Sequence, residues 1–195
     1  MLRRTAKLFR ERLDFDLVIV GAGPCGLSAA VRARQIDSSI SVCVLEKGAR
    51  IGAHILSGNI FDPRAYHELF PNKSSVPEFM TPVSGEKFRF LTNSSSIDLP
   101  NILLPSELHN AGNYVTSLGQ FCEFLASEAE NLGAEIFPGF AVAGAVYSED
   151  RVVGVYTRDV GIDKSGQRKE TFSEGVELRA KQIIVAEGAK GSLAK

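Results

Sequence analysis

Three cysteines are all the sequence has, Cys25, Cys43 and Cys122, and they lie far apart in a chain of 195 residues. That is too few and too scattered for a disulfide framework or a closed metal site, so reduced thiols are expected. The three histidines, His54, His67 and His109, share no metal-ligand spacing. Positive charge has no surplus either: 22 Lys and Arg stand against 23 Asp and Glu, a formal net charge of −1. Nothing in that balance draws nucleic acid. No apolar run reaches the roughly 18–20 residues of a membrane-spanning helix. There is no secretory apolar segment at the start and no internal repeat. What is present is ordinary globular usage, 44% hydrophobic and 23% charged, which excludes a disordered tail and a coiled coil. The length suits one domain, with room for an embedded lobe.

The first 13 residues carry Arg3, Arg4, Lys7, Arg10 and Arg12 against Glu11, with Leu2, Phe9 and Leu13 as a partial apolar face. An organellar presequence has this composition. A first strand expected from Asp16 leaves little room for cleavage, which favours a short basic lead-in.

Asp16–Val20 is a short apolar run ending at Gly21, the pattern of a buried parallel strand. Pro24–Gln35 follows as a helix, with its proline at the tolerated first turn. Ser38–Leu45 reads as a second strand, ending at Glu46, and the three elements have the size of a βαβ unit. From Gly48 to about Asn113 periodicity fades, which predicts an inserted lobe rather than a long loop. It is expected to hold a helix around Pro63–Phe70 and a strand near Lys87–Thr92. Gln120–Asn131 is amphipathic at helical spacing through Phe121, Phe124, Leu125 and Ala129, and Gly133 closes it. Ala134–Phe137 is a short strand. Val142–Tyr147 and Val152–Thr157 predict a hairpin, Lys169–Phe172 and Val176–Arg179 further meander strands, and Gln182–Ala186 a last buried strand. The expected fold is α/β: a Rossmann-like parallel sheet of Asp16–Val20, Ser38–Leu45, Ala134–Phe137 and Gln182–Ala186, with a β-meander and an inserted lobe.

Gly21-Ala22-Gly23-Pro24-Cys25-Gly26 has the Gly-x-Gly-x-x-Gly spacing. It follows a strand, opens a helix, and is answered about 20 residues later by Glu46 at the end of the next strand, the context that the motif requires. Gly21 permits the tight turn, Gly23 lets backbone approach a pyrophosphate, and Gly26 allows close helix–strand packing. The helix start then turns free N–H groups toward phosphates. Glu46 can accept hydrogen bonds from a ribose diol and repels a 2′-phosphate. FAD and NAD both use this turn; the long insertion after the second strand argues for FAD. Glu187-Gly188 at the end of the last strand is placed at the same nucleotide-binding edge.

Longer stretches carry a resemblance. They are Glu46-Lys47-Gly48-Ala49-Arg50-Ile51-Gly52-Ala53-His54-Ile55-Leu56-Ser57-Gly58, Phe61-Asp62-Pro63, Glu68-Leu69-Phe70-Pro71, Thr81-Pro82-Val83, Gly112-Asn113-Tyr114 and Ser117-Leu118-Gly119. Further on come Glu128-Ala129-Glu130, Pro138-Gly139-Phe140, Asp159-Val160-Gly161-Ile162 and Ala186-Glu187-Gly188. Together, from about Asp14 onward, they resemble the N-terminal part of the electron transfer flavoprotein–ubiquinone oxidoreductases, within the wider group of geranylgeranyl reductase-like and hydroxylase-like FAD proteins. The resemblance implies an FAD domain of the glutathione reductase and hydroxylase type. It implies electrons taken from reduced electron transfer flavoprotein and passed through FAD and a [4Fe-4S] cluster to ubiquinone at a membrane surface. That surface is the matrix side of the mitochondrial inner membrane or the cytoplasmic side of a bacterial inner membrane.

By position, Gly21, Gly23 and Gly26, with Ala22, Pro24 and Cys25 between them, match the pyrophosphate turn, and Glu46 with Lys47 the ribose end. Gly52, Ala53, His54, Ser57 and Gly58 match a loop near the flavin. Phe140, Ala141 and Val142 match a segment approaching the adenine, and Glu187-Gly188 a second FAD turn. Related reductases often have Asp before that glycine and an Arg in the helix expected over Gln120–Asn131; here Glu187 and, roughly, Leu118 stand instead. No side-chain nucleophile or acid–base dyad is required, because the flavin carries the redox chemistry. Phe88–Leu108, apolar but broken by Pro100 and Pro105, packs the lobe or, as the resemblance implies, meets the membrane near the quinone. The expected organisation is a lead-in at 1–13, the βαβ unit at 14–47, the lobe at 48–113 with segment 88–108 inside it, and the continuing FAD domain at 114–195. The family also needs a later glycine segment and four clustered cysteines, so the chain reads as C-terminally truncated. Other open readings are a different FAD-dependent reductase of that group and an inactive nucleotide-binding remnant.

Overall fold

The computed structural model describes residues 10–163, 165–189, 191 and 193. The expected lead-in therefore lies outside the described residues up to position 9.

Strand β1 (Arg12–Val20) passes through a glycine turn into helix α1 (Pro24–Ile36), and strand β2 (Val42–Glu46) follows. β1 and β2 are parallel, with Val18 opposite Cys43 and Val20 opposite Leu45. Leu17–Val20 and Val42–Leu45 are buried at every position. That explains their unbroken apolar runs: a parallel strand covered on both faces cannot alternate. α1 buries Leu27, Ala30 and Val31. The Arg34 guanidinium on its last turn donates to the carbonyl oxygens of Ile40 and Leu132.

Two boundaries differ from expectation. β1 begins at Arg12 rather than Asp16, because Arg12–Phe15 pairs alongside Glu177–Ala180. β2 begins at Val42 rather than Ser38. The backbone N–H and hydroxyl of Ser41 both donate to Asp16 Oδ2, at 2.8 and 3.0 Å, and this holds the segment before Val42 as a turn.

Residues 56–120 form a compact unit of their own. They contain β3 (Ser57–Phe61), the short helix α2 (Arg64–Leu69), β4 (Thr81–Pro82), β5 (Phe88–Leu91), β6 (Ser96–Leu99) and β7 (Tyr114–Ser117). β7 is central in a three-stranded sheet of order β3-β7-β4, and β5 pairs with β6 as a hairpin. Tyr66, Phe70, Met80 and Thr116 are buried. Two single 3₁₀ turns follow Pro100 and Pro105. Glu86 pins the loop after them by accepting from the backbone and side-chain N–H of Asn110, at 2.8 and 2.9 Å. The expected helix and strand are present here as α2 and β5; β3, β4, β6 and β7 carry no strand signal in the sequence.

The other unit, up to Ile55 and from Phe121 on, takes in most of helix α3 (Leu118–Asn131). It continues with β8 (Glu135–Pro138), β9 (Val142–Ser148), β10 (Arg151–Thr157), β11 (Val160–Ile162), β12 (Arg168–Ser173) and β13 (Glu177–Val185). α3 buries Phe121, Cys122, Leu125, Ala126 and Ala129. It ends before Gly133, whose φ of +88° is the left-handed conformation that glycine adopts freely. The main sheet has the order β8-β2-β1-β13-β10-β9. Its first four strands are parallel, and β10 and β9 are antiparallel additions. Val18, Val20, Cys43, Leu45, Val155 and Leu178 form a buried cluster that spans it.

The α/β sheet with an antiparallel extension is the fold class expected. Its last part is corrected. Val176–Arg179 and Gln182–Ala186 are not two strands, because β13 runs unbroken through Ala180 and Lys181 with β1 alongside. Lys181 is held there by Asp16, at 2.7 Å. Lys169–Phe172 lies in β12, which pairs with β11 in a separate hairpin rather than with the main sheet.

Candidate functional site

Because β8, β2, β1 and β13 are parallel neighbours, their carboxyl ends line one edge of the sheet. The glycine turn sits on that edge. The Gly21 N–H donates to Leu45 O at 2.8 Å, and the Ala186 N–H to Val20 O at 2.8 Å. Gly21 has φ +107°, and a Cβ there would lie 2.5 Å from Ala186 O. A Cβ at Gly26 would lie 2.0 Å from Gly21 O and 3.2 Å from Ile19 Cγ2. Gly23 differs from both: it is extended, and no described atom lies within 4 Å of where its Cβ would stand. Two glycines therefore close the turn and the third leaves it open to solvent. Gly23 caps α1 without a side-chain acceptor, and Pro24 opens the helix. The N–H groups of a first helical turn have no intrahelical partners and favour an anion.

Glu46 braces the turn from β2. Its Oε2 accepts from the Ala22 N–H at 2.9 Å, and its Oε1 from the Gly48 N–H at 2.7 Å. Each carboxylate oxygen keeps a second lone pair for a diol. Lys47 beside it is exposed. The Gly139 N–H donates to Gly48 O at 2.8 Å, which ties the end of β8 to the end of β2. Gly48 and Gly139 were not singled out as site residues. A glycine two residues after the acid is the available signal for the first; the second shows only in the backbone pairing.

Of the other expected site residues, Gly52, Ala53 and His54 lie in a turn within the same unit, with Gly52 at φ +75°. Ser57 and Gly58 begin β3 in the second unit. Ala141 and Val142 are half-buried, and Ala141 O accepts from the Arg158 N–H at 2.9 Å. Cys25 is exposed on the first turn of α1. Glu187 accepts from the Leu193 N–H at 2.7 Å, and Gly188 has φ +74°. Thus residues 21–26, Glu46 and Ala186 converge on one edge, with Glu187 and Gly188 following directly. Ser57 and Gly58 belong to a separate body.

A shallow hollow of about 400 Å³ lies at the opposite end of β1, lined by Arg12, Asp14, Asp16, Ser41, Arg179 and Lys181. Its charges are paired: Lys181 meets Asp16 at 2.7 Å, Arg12 meets Asp14 at 2.6 Å, and Arg179 meets Glu177 just outside the lining at 2.7 Å. The hydrogen bond from Lys181, with those from Ser41, pulls Asp16 down to about 2.

Cys43 and Cys122 are buried, and burial pushes each thiol up to about 12. Both are therefore protonated at neutral pH, whereas an iron–sulfur cluster takes four thiolates. Among the described residues no group of three or more His, Cys, Asp or Glu could hold a metal. With three cysteines in all, the chain does not by itself supply the four thiolates that a [4Fe-4S] cluster takes. Among the described residues, no helix is long and apolar enough to cross a membrane.

Glycine turn, open helix start and bracing acid together define a dinucleotide-binding α/β domain. The NAD(P)-binding Rossmann-like domain family matches residues 19–76. The fold is shared with a geranylgeranyl bacteriochlorophyll reductase-like protein from Thermoplasma acidophilum (TM-score 0.63, 21% identity, 90% of this chain and 39% of that one). It is also shared with the myxobacterial chondrochloren halogenase CndH, a variant of the FAD-dependent halogenases (TM-score 0.61, 18% identity, 93% and 39%).

The resemblance read from the sequence is borne out by curated relatives. The chain is 48% identical over 192 residues to the mitochondrial electron transfer flavoprotein-ubiquinone oxidoreductase of Oryza sativa subsp. japonica, covering 95% of this chain and 32% of that protein. It is 49% identical over 194 residues to the enzyme of that name from Pseudomonas aeruginosa, covering 95% and 35%. The chain thus spans about a third of the length of the relatives it matches.

Proposed function

We propose that this chain supplies the FAD-binding part of an electron transfer flavoprotein–ubiquinone oxidoreductase. The observation that carries the reading is the near-half identity to enzymes of that name over 95% of the chain. The open Gly23, the closed Gly21 and Gly26 and the doubly engaged Glu46 fit an FAD diphosphate and ribose.

Gly23 admits the pyrophosphate close to backbone, and the start of α1 supplies partial positive charge. Glu46 orients the adenosine ribose while its bonds to Ala22 and Gly48 hold the carboxylate still. Ala141 and Val142 border the adenine through backbone groups; Gly52, Ala53 and His54 serve the flavin end, and Glu187 and Gly188 the second turn. When bound, FAD accepts and donates the electrons. Reduced electron transfer flavoprotein is the proposed donor and ubiquinone the acceptor, with the iron–sulfur cluster held outside the residues described here.

Phe88, Phe90, Leu91 and Ile97 on the β5–β6 hairpin and Ile102 and Leu103 beyond it are exposed large apolar residues. Clustered exposed apolar side chains suit an apolar partner surface. They support peripheral attachment to the inner membrane of a mitochondrion or bacterium.

The full chain is incubated with FAD, desalted and scanned for absorbance. Flavin retained near one per chain is expected; a folded, colourless protein overturns FAD binding by this chain. Reduced electron transfer flavoprotein is then added anaerobically. Retained flavin that it does not bleach removes the proposed donor and leaves FAD binding intact.

A further inference from the structure

Strand β3 is bulged. Ser57 pairs with Ser117 and Asn59 with Thr116, so the extra residue, Gly58, falls outside the ladder. A bulge of this kind interrupts the strand bonds and bends the strand. Gly58 suits the place, with φ +78° and no described atom within 4 Å of its missing Cβ.

Next to the bulge two buried oxygens, Asn59 Oδ1 and Thr116 Oγ1, have no hydrogen-bond partner among the described residues. Thr116 is only 4% exposed. The two residues are cross-strand partners, so their side chains share one face of the sheet, with Cβ atoms about 4.5–5.5 Å apart. Folded proteins rarely leave such oxygens unpaired, and an ordered water is the usual partner where protein offers none. Here one rung carries both oxygens, directly beside the register shift.

We infer that one ordered water molecule is built into the β3 bulge, donating a hydrogen to Asn59 Oδ1 and hydrogen-bonding to the Thr116 hydroxyl. Water suits the pair because it both donates and accepts, as the hydroxyl does, while the amide oxygen only accepts. The site lies wholly within the unit of residues 56–120.

The test is a water-selective nuclear Overhauser spectrum of the ¹⁵N-labelled full chain. A long-lived water cross-peak to the Thr116 amide is expected, and its loss in Thr116→Val. That variant also leaves Asn59 Oδ1 without a partner, so its unfolding midpoint is expected to fall by roughly 2–4 °C. No cross-peak in the parent chain, or a Thr116→Val protein that unfolds at a higher temperature, overturns the inference. Should the variant fail to fold, the spectrum of the parent chain decides alone.

Discussion

A Cβ on Gly26 would stand 2.0 Å from the carbonyl oxygen of Gly21, so the start of α1 rests directly on the turn that leaves β1. The obstacle is backbone, which cannot swing aside as a side chain could. Gly26→Ala is expected to cost about 1–3 kcal/mol, the range for overpacking a filled site. It should also displace the helix start enough to abolish flavin retention. Thermal unfolding and the flavin absorbance after desalting measure the two effects. A Gly26→Ala protein with unchanged midpoint and flavin content would show that the contact is not restrictive.

Glu46 accepts two backbone N–H bonds and is the proposed ribose acceptor. Glu46→Gln keeps the shape but turns one acceptor into a donor facing an N–H. Hydrogen bonds to a charged group contribute about 1.5–3 kcal/mol, so FAD affinity is expected to fall at least about tenfold. Quenching of FAD fluorescence on titration reads this directly, and equal affinity in parent and variant would remove Glu46 from the ribose site.

Asp16 lies below its ordinary value of 3.8, at about 2, first through the bond from Lys181 and then through Ser41. The folded state therefore holds the charged form more strongly than the unfolded state does. The resulting stability is fully present above about pH 4. It fades as pH falls, and is gone below about 2. The midpoint difference between the parent and Asp16→Asn should be constant near neutrality and shrink to nothing between those limits. A difference unchanged down to pH 2 would assign Asp16 a role independent of its charge.

The thiols divide into two kinds. Cys43 and Cys122 are buried and Cys25 is exposed. A disulfide-exchange reagent such as Ellman's should find one fast thiol in the native chain and three in denaturant. Cys25 also lies in the turn proposed to hold the pyrophosphate, so FAD should slow its reaction several-fold. Labelling that is indifferent to FAD would separate Cys25 from the site.

The nucleotide edge was largely legible in the chain because it is local. Gly21, Gly23 and Gly26 lie within one turn, and each glycine answers a demand set a few residues away. The apolar runs of β1 and β2 announce a sheet covered on both faces, since a half-exposed pair of strands would not bury four consecutive rungs without alternation. β13 was misread as two strands because Ala180 and Lys181 look like a break. Only β1, far off in the chain, supplies the bonds and the Asp16 carboxylate that carry the strand through them.

The sequence by itself determined the βαβ unit, the fingerprint and the acid that answers it, because spacing along one strand and one helix suffices for these. Tertiary structure alone decided that Ala186 closes over Gly21, that Gly139 ties β8 to Gly48, and that β3 bulges against β7 at Gly58. These are pairings between backbone groups of distant segments. Backbone N–H and C=O are the same in every residue, so no side-chain pattern records which of them meet.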